Sequence, residues 1–365
     1  MTQTARPPGA EGGRKPAAVL PWQHEDWDRL GALLARERLP HALLLLGLPG
    51  AGALTFAEAV VARLLCAVPP TAGPLAAACG ICVGCRLVAA GSHPDLHRLE
   101  PEEGHEQIRV DEARAAVAFA GLKAGQGGLK VVFVPQAERL NVQAANCLLK
   151  TLEEPPLGTL FLLTTHCPAR LLVTVRSRCQ RFALRPSGRS VALAWLEAQG
   201  LPAPEAAARL DLCRGLPLDA LDDSAAEQAA LYADLVAALA ALLSQGPEGD
   251  ALWLSRVAGE RTHATLLPVL TLLCEDLLRL CSGGGTATLA AAAQVKPLTS
   301  LKGRLNREAA GEWISACYAS ARRGLASGLK SDELLDALSL SLHGVVGRLL
   351  AAGREGQDQE TARRR

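Results

Sequence analysis

The sequence predicts an α/β fold, a parallel sheet held between helices, followed by an all-helical second half. Three observations carry this. Residues 41–47 (HALLLLG), 130–134 (KVVFV) and 159–165 (TLFLLTT) are continuous short apolar runs, as expected of strands buried on both faces. Helical stretches lie between them, which is the alternation that builds a covered parallel sheet. After RPSG (185–188) the strand signal vanishes, and an alanine- and leucine-rich chain with only 3% aromatics continues as amphipathic helix.

At 365 residues the chain exceeds one ordinary core, so two or three domains are expected. The formal charge of +1 provides no global field towards nucleic acid or acidic lipid. Residues 1–20 are Pro/Gly-rich without an apolar signal core and read as a disordered leader. The apolar stretch LVAALAALL (235–243) is far shorter than the ~20 residues that span a bilayer. A soluble, cytoplasmic protein without membrane contact follows, with its eleven cysteines mostly reduced.

In chain order, the strand at 41–47 leads into the turn GLPGAGAL (47–54) and a helix expected from Thr55 to Cys66. Gly47 and Gly52 have the spacing of a phosphate loop, with Gly50 between them, yet Ala53 replaces its lysine and Leu54 its magnesium-binding hydroxyl. The same turn reads equally as a tight strand-to-helix connection, or as an amide nest that holds an anion weakly. KVVFV is followed by Pro135 and Gln136, where a hydrolase carries acidic residues. Losing one preorganised electrostatic group typically costs about 10²–10³ in rate. With four missing, hydrolysis is not expected.

Cys66, Cys79, Cys82 and Cys85 form C-x12-C-x2-C-x2-C, the pattern of a closed, structural zinc site, one ion per chain. Gly80 and Gly84 are read as giving the chain freedom to turn both thiolates onto one ion. His93 and His97 follow as substitute ligands, although histidines that cap or pack are the plainer expectation. The helix in NVQAANCLLKTLEE presents Val142, Ala145, Leu148, Leu149 and Leu152 on one face, and Pro155 and Pro156 end it. Residues 189–223 suggest a small helical unit, and 225–352 amphipathic helices broken at SQGPEGD and SGGGT, before a basic tail.

The segments LPHALLLLGLPGAGA, CGICVGC, GSHPDL, AANCLLKTLEEPP and VRSRCQRF occur together and in order. In them the chain resembles, over about residues 20–350, the delta-prime subunits of the bacterial DNA polymerase III clamp loader, of the AAA+ class. The resemblance implies a RecA-like AAA+ domain (21–186) with a zinc module at about 66–85, a helical lid (187–224), a helical collar that joins a ring (225–353) and a polar tail (354–365). It implies a hetero-pentameric ring with gamma/tau-type motor subunits and delta, acting on the sliding clamp and primer-template DNA, in which this chain hydrolyses no ATP. GLPLDAL (215–221) resembles the family's second sensor segment, with Leu218 where motor subunits carry arginine. In Ser177-Arg178-Cys179 the arginine of such a motif reaches a neighbour's ATP site. As a bare residue, Arg178 reads as a solvated charge at a strand edge. Lys150, Glu153 and Glu154 read as solvated helix charges at least as well as specific groups. Two other readings stand beside this one. One is a residual nucleotide sensor or weak AAA+ ATPase. The other is a zinc module that reads nucleic acid, which residues 66–85 oppose by containing no lysine, arginine or aromatic.

Overall fold

The computed structural model describes residues 18–36, 39–69, 76–125, 128–245, 248–282, 298, 306–326 and 330–349. The leader to residue 17, the SGGGT segment beyond Ser282 and the tail lie outside the described residues. The chain divides into two compact units, Met1–Val191 and Ala192–Arg365.

In the first unit, β1 (Ala42–Leu46), β2 (Leu96–Arg98), β3 (Lys130–Val134), β4 (Thr159–Thr165) and β5 (Gln180–Ala183) form one sheet of order β2-β3-β4-β1-β5. Every neighbouring pair is parallel. The three expected strands are its centre, and their side chains alternate between two cores. Ala42, Leu44, Val132, Val134, Phe161 and Leu163 enter one; Leu43, Leu45, Val131, Phe133 and Leu162 enter the other. This period of two, apolar in both phases, is why the strands read as unbroken apolar runs. The first core is closed by α4 (Val110–Ala120), α5 (Val142–Glu153) and α6 (Val173–Arg178). The second is closed by α1 (His24–Ala35) and α2 (Ala53–Leu64).

Two details differ from expectation. Helix α2 starts at Ala53, because Gly52 at φ +83° caps it, and ends at Leu64. Cys66 therefore lies beyond the helix. On α5, Val142 is 61% exposed; the buried face instead carries Ala144, Ala145, Leu148 and Leu152. Val142 follows the N-cap, Asn141, whose side chain accepts from the Ala144 amide at 2.8 Å, so it sits in the first turn, outside the packed stripe. Helix α5 ends at Glu153, just ahead of Pro155 and Pro156.

In the second unit, α8 (Ala203–Leu212) and α9 (Pro217–Leu221) pack with α7 (Arg189–Ala198) through Leu196, Ala206, Leu210 and Ala220. A larger cluster unites α10 (Asp223–Gln245), α11 (Trp253–Ala258), α12 (His263–Cys281), α13 (Arg307–Ala326) and α14 (Ser331–Leu349). Its centre holds Trp313, stacked on Trp253 and donating from Nε1 to the Leu342 carbonyl at 3.0 Å. By length and composition alone α10 could cross a membrane. Its Leu231, Leu235, Val236, Leu239 and Leu242 are instead spent in this cluster.

The turn into β4 tests the register of the sheet. Gly158 has φ +73°, and a Cβ there would stand 2.5 Å from the Gly128 carbonyl oxygen. Gly104 has a similar φ of +83° in open space. Gly104→Ala should cost about 1–2 kcal/mol from the backbone alone. Gly158→Ala should cost clearly more, because the Lys130 amide bonds the Gly158 carbonyl at 2.7 Å and any relief shifts that link. Native-state amide exchange of β3 and β4 in the two variants checks this; equal losses would show that the contact relaxes freely.

Candidate functional sites: the cysteine cluster and the crest of the sheet

Cys66 follows α2, Cys79 and Cys82 lie in the next described loop, and Cys85 sits in the short helix α3 (Val83–Ala89). Their sulfurs converge: Cys66–Cys79 3.6 Å, Cys66–Cys82 3.9 Å and Cys79–Cys85 3.9 Å, with all four ligand atoms within 4.8 Å of one another. These gaps are too long for a disulfide bond of about 2.05 Å. They match the edge of about 3.8 Å that a tetrahedron with Zn–S bonds near 2.3 Å requires. Backbone amides point at the sulfurs: Cys79 N to Cys66 (3.5 Å), Cys82 N to Cys79 (3.4 Å) and Cys85 N to Cys82 (3.3 Å). Such donors orient and stabilise thiolate ligands.

The electrostatics fit a cation too. Burial raises the Cys82 thiol, but the Cys85 and Ala67 backbone outweighs it and brings it down to about 6. Burial pushes Cys85 up to about 12. The cluster thus favours negative charge at one sulfur and resists it at another, and a divalent ion is what lets all four ionise. The residues fit zinc and leave no fifth open position. Gly80, at φ +75°, turns the loop as expected. Gly84 serves differently: a Cβ there would lie 2.3 Å from the Leu65 carbonyl oxygen, so it permits close approach of α3 to the end of α2.

Neither histidine joins the cluster. The Asp95 amide donates to His93 Nδ1 at 3.1 Å, and His97 stacks on Phe119 at 5.3 Å between centroids. Burial lowers the pKa of both imidazoles, which keeps them neutral packing groups.

The glycine turn lies at the carboxyl end of β1, beside the end of β4, whose other neighbour is β3. Pro49–Ala51 form a 3-10 turn that takes up the Ala51 and Gly52 donors internally. The Ala51 amide bonds the Leu48 carbonyl at 3.1 Å, the Gly52 amide bonds the Pro49 carbonyl at 2.8 Å, and Pro49 has no N–H. A phosphate cradle needs those amides facing outward. Trp22 and Gln23, which periodicity gave no reason to single out, fasten the turn from behind. Trp22 Nε1 donates to the Ala51 carbonyl at 2.9 Å, and Gln23 Nε2 to the Gly52 carbonyl at 2.8 Å. Gly50 is buried in the turn. Gly47 is required by packing, since a Cβ would stand 3.0 Å from that of Ala53. At the neighbouring strand ends, Thr164 Oγ1 donates to the Pro135 carbonyl, and Arg139 Nη1 holds Gln136 Oε1 at 3.1 Å. Leu218 lies on α9 in the second unit.

Arg178 is the last residue of α6, not a strand-edge residue. Its Nε donates to Glu153 Oε1 at 2.6 Å and its Nη1 to the Thr174 carbonyl at 2.9 Å. Ser177 Oγ donates to the same carbonyl at 3.0 Å. Cys179 is buried in the core below, and burial pushes its thiol up to about 11.

A parallel sheet of this order, with a glycine turn after β1 and a helical continuation, defines a P-loop domain of the AAA+ class. The family described as "DNA polymerase III, delta subunit" matches residues 22–188. DNA polymerase III subunit delta' of Escherichia coli K12 is 39% identical over 263 residues, covering 71% of this chain and 76% of that protein. The chain belongs to the DNA polymerase III subunit delta' family. The delta' subunit of Pseudomonas aeruginosa is 46% identical over 207 residues, 56% of this chain but only 61% of that protein, so the match spans about three fifths of that relative. DNA polymerase III subunit tau of Escherichia coli K12 is 34% identical over 152 residues, 42% of this chain and 23% of that protein. A solved Thermotoga maritima protein related to the DNA polymerase III gamma subunit covers 88% of this chain and 99% of its own at 20% identity and a TM-score of 0.40.

The burial of Cys179 makes a pH-dependent statement. The unfolded chain ionises near the usual thiol value of 9.0 and the folded one near 11. Folded stability is therefore full below pH 9 and declines as pH climbs towards 11. At pH 8, alkylation of the native chain should leave Cys179 unmodified until the protein is unfolded, as peptide mapping would show. Ready native-state labelling would contradict a packing role.

Proposed function

We propose that this chain is a non-hydrolysing clamp-loader subunit, a ring stator that supplies Arg178 as an arginine finger to the ATP site of an adjoining motor subunit. The observation that carries the reading is a contrast. The chain's own phosphate loop lacks lysine, hydroxyl and acidic partners at Ala53, Leu54, Pro135 and Gln136, and the Ala51 and Gly52 amides of its turn are spent internally. Arg178, by contrast, stands on a helix end with its side chain 31% accessible. A guanidinium suits the task because it is permanently charged and grips phosphate oxygens in a planar fork.

The domain scheme is the one the resemblance implies: an AAA+ domain over 21–186, a lid over 187–224 and a collar over 225–353 that joins the ring. Motor subunits of gamma/tau type and delta are its partners in a hetero-pentamer. Through that assembly the chain serves the sliding clamp and primer-template DNA in the cytoplasm. Similarity to a tau subunit over 42% of this chain supports clamp-loader partners of that kind. Cys66, Cys79, Cys82 and Cys85 hold one structural zinc, which would tie the exit of α2 to α3.

In a loader assembled from this chain, motor subunits and delta, Arg178→Ala should lower turnover at the facing site by about 10³-fold or more while the complex still forms. Clamp- and DNA-stimulated ATP turnover reads this, and unchanged turnover would reduce the arginine to a structural charge. The isolated chain should show no magnesium-dependent ATP binding; clear binding would favour a nucleotide sensor. Elemental analysis should find one zinc per chain, and Cys82→Ser with Cys85→Ser should release it and destabilise the first unit. A stable, metal-free native chain would sink the zinc assignment.

A further inference from the structure

Arg178 is held by two elements. Besides the Nε bond, its Nη2 donates to the same Glu153 oxygen, while Nη1 is taken by the Thr174 carbonyl of its own helix. A guanidinium carries five N–H groups. Three are spent, on the side edge shared by Nε and Nη2 and on the flank of Nη1 that faces back along the stem. The two that remain, one on each terminal nitrogen, lie parallel on the outer edge. That edge is the one that meets two phosphate oxygens side by side.

Glu153 is itself well anchored. It ends α5, where Leu152 is buried and the Leu152 carbonyl accepts from His41 Nε2 at 2.9 Å. Its own carboxylate is 48% accessible. An ion pair this exposed contributes little to folding stability. Its consequence is orientation: a side chain that otherwise samples many rotamers is fixed by its inner edge.

We propose that Glu153 is the positioning residue for Arg178, gripping the side of the guanidinium so that its terminal edge is presented, already aligned, to phosphate oxygens of a nucleotide held by another chain. This rests on the finger reading above and adds the group that aims the finger. The contact also links the proline-terminated helix α5 to α6, so a shift of α5 would withdraw or advance the guanidinium.

The test compares Glu153→Ala, Glu153→Gln, Arg178→Ala and the Glu153→Ala/Arg178→Ala double variant in the assembled loader, each first shown to assemble. Misaligning a catalytic group by about 1 Å can cost 10²-fold. Glu153→Ala should therefore reduce the Arg178-dependent share of kcat about tenfold or more, with KM for ATP little changed. Glu153→Gln, which keeps an acceptor oxygen for Nε, should retain most of that share. In the Arg178→Ala background, Glu153→Ala should do nothing further. If Arg178→Ala lowers turnover and Glu153→Ala does not, the positioning role is overturned while the finger stands. If Glu153→Ala raises turnover, the carboxylate competes with phosphate and the proposal fails. An additional loss in the double variant would show that Glu153 acts on something other than Arg178. If Arg178→Ala itself changes nothing, the finger reading falls first.

Discussion

Burial of β1, β3 and β4 on both faces is the constraint on which the rest of the first unit depends. A strand with apolar neighbours above and below cannot slip by one residue without exchanging its two cores, each already filled. Fully burying a leucine or phenylalanine is worth about 1.5–3 kcal/mol, and these strands bury them in both directions. The register is thus stiff, and the carboxyl ends of the three strands are forced side by side. The Gly47 amide reaches the Thr165 carbonyl at 3.3 Å, and the Thr164 hydroxyl reaches Pro135. This crest is where open α/β sheets place ligands. Here its polar groups bond to one another.

The same accounting separates the two candidate phosphate-facing features. A buried backbone donor must find an acceptor or incur a penalty of about 1–3 kcal/mol. In a loop that binds nucleotide, the phosphate supplies acceptors when present. In this loop the 3-10 turn supplies them permanently, and Trp22 and Gln23 take up the carbonyls behind it. The Ala51 and Gly52 amides are thus satisfied without a ligand. Arg178 is incomplete by the same count, with its outer donors left over after Glu153 and Thr174 are served. Donors satisfied inward at one place and left over at the other distinguish the glycine turn from the end of α6.

What was legible in the sequence follows from how far each feature depends on distant residues. The central strands wrote themselves as apolar runs because both faces are covered. β2, three half-buried residues, and β5, where only Phe182 is buried, are edge strands with mixed polarity and left no such trace. The cysteine cluster was readable because ligand spacing is local. The role of Gly84 was not, since it depends on where the Leu65 carbonyl happens to pass. Trp22 and Gln23 meet the glycine turn across 29 and 28 residues, and Glu153 meets Arg178 across 25. No periodicity encodes such pairings; a charge at a helix end looks the same whether solvated or engaged.

The two helices that hold Arg178 also explain why one short stretch, LLKTLEEPP, carries so many distinct features. Its apolar half, Leu148 and Leu152, locks α5 against the sheet, and the prolines end the helix so that Glu153 falls on its final turn. Leu148 and Leu152 set the rotation and height of the helix, and these place Glu153 within reach of Arg178. Gly158 then returns the chain into β4 within five residues of Glu153, tying the helix end to the register of the central strand. Packing, termination and charge are thus compressed into one connection. The residues that pack this helix, end it and carry its charge are therefore close neighbours in sequence, and all lie on the route from the sheet to the guanidinium.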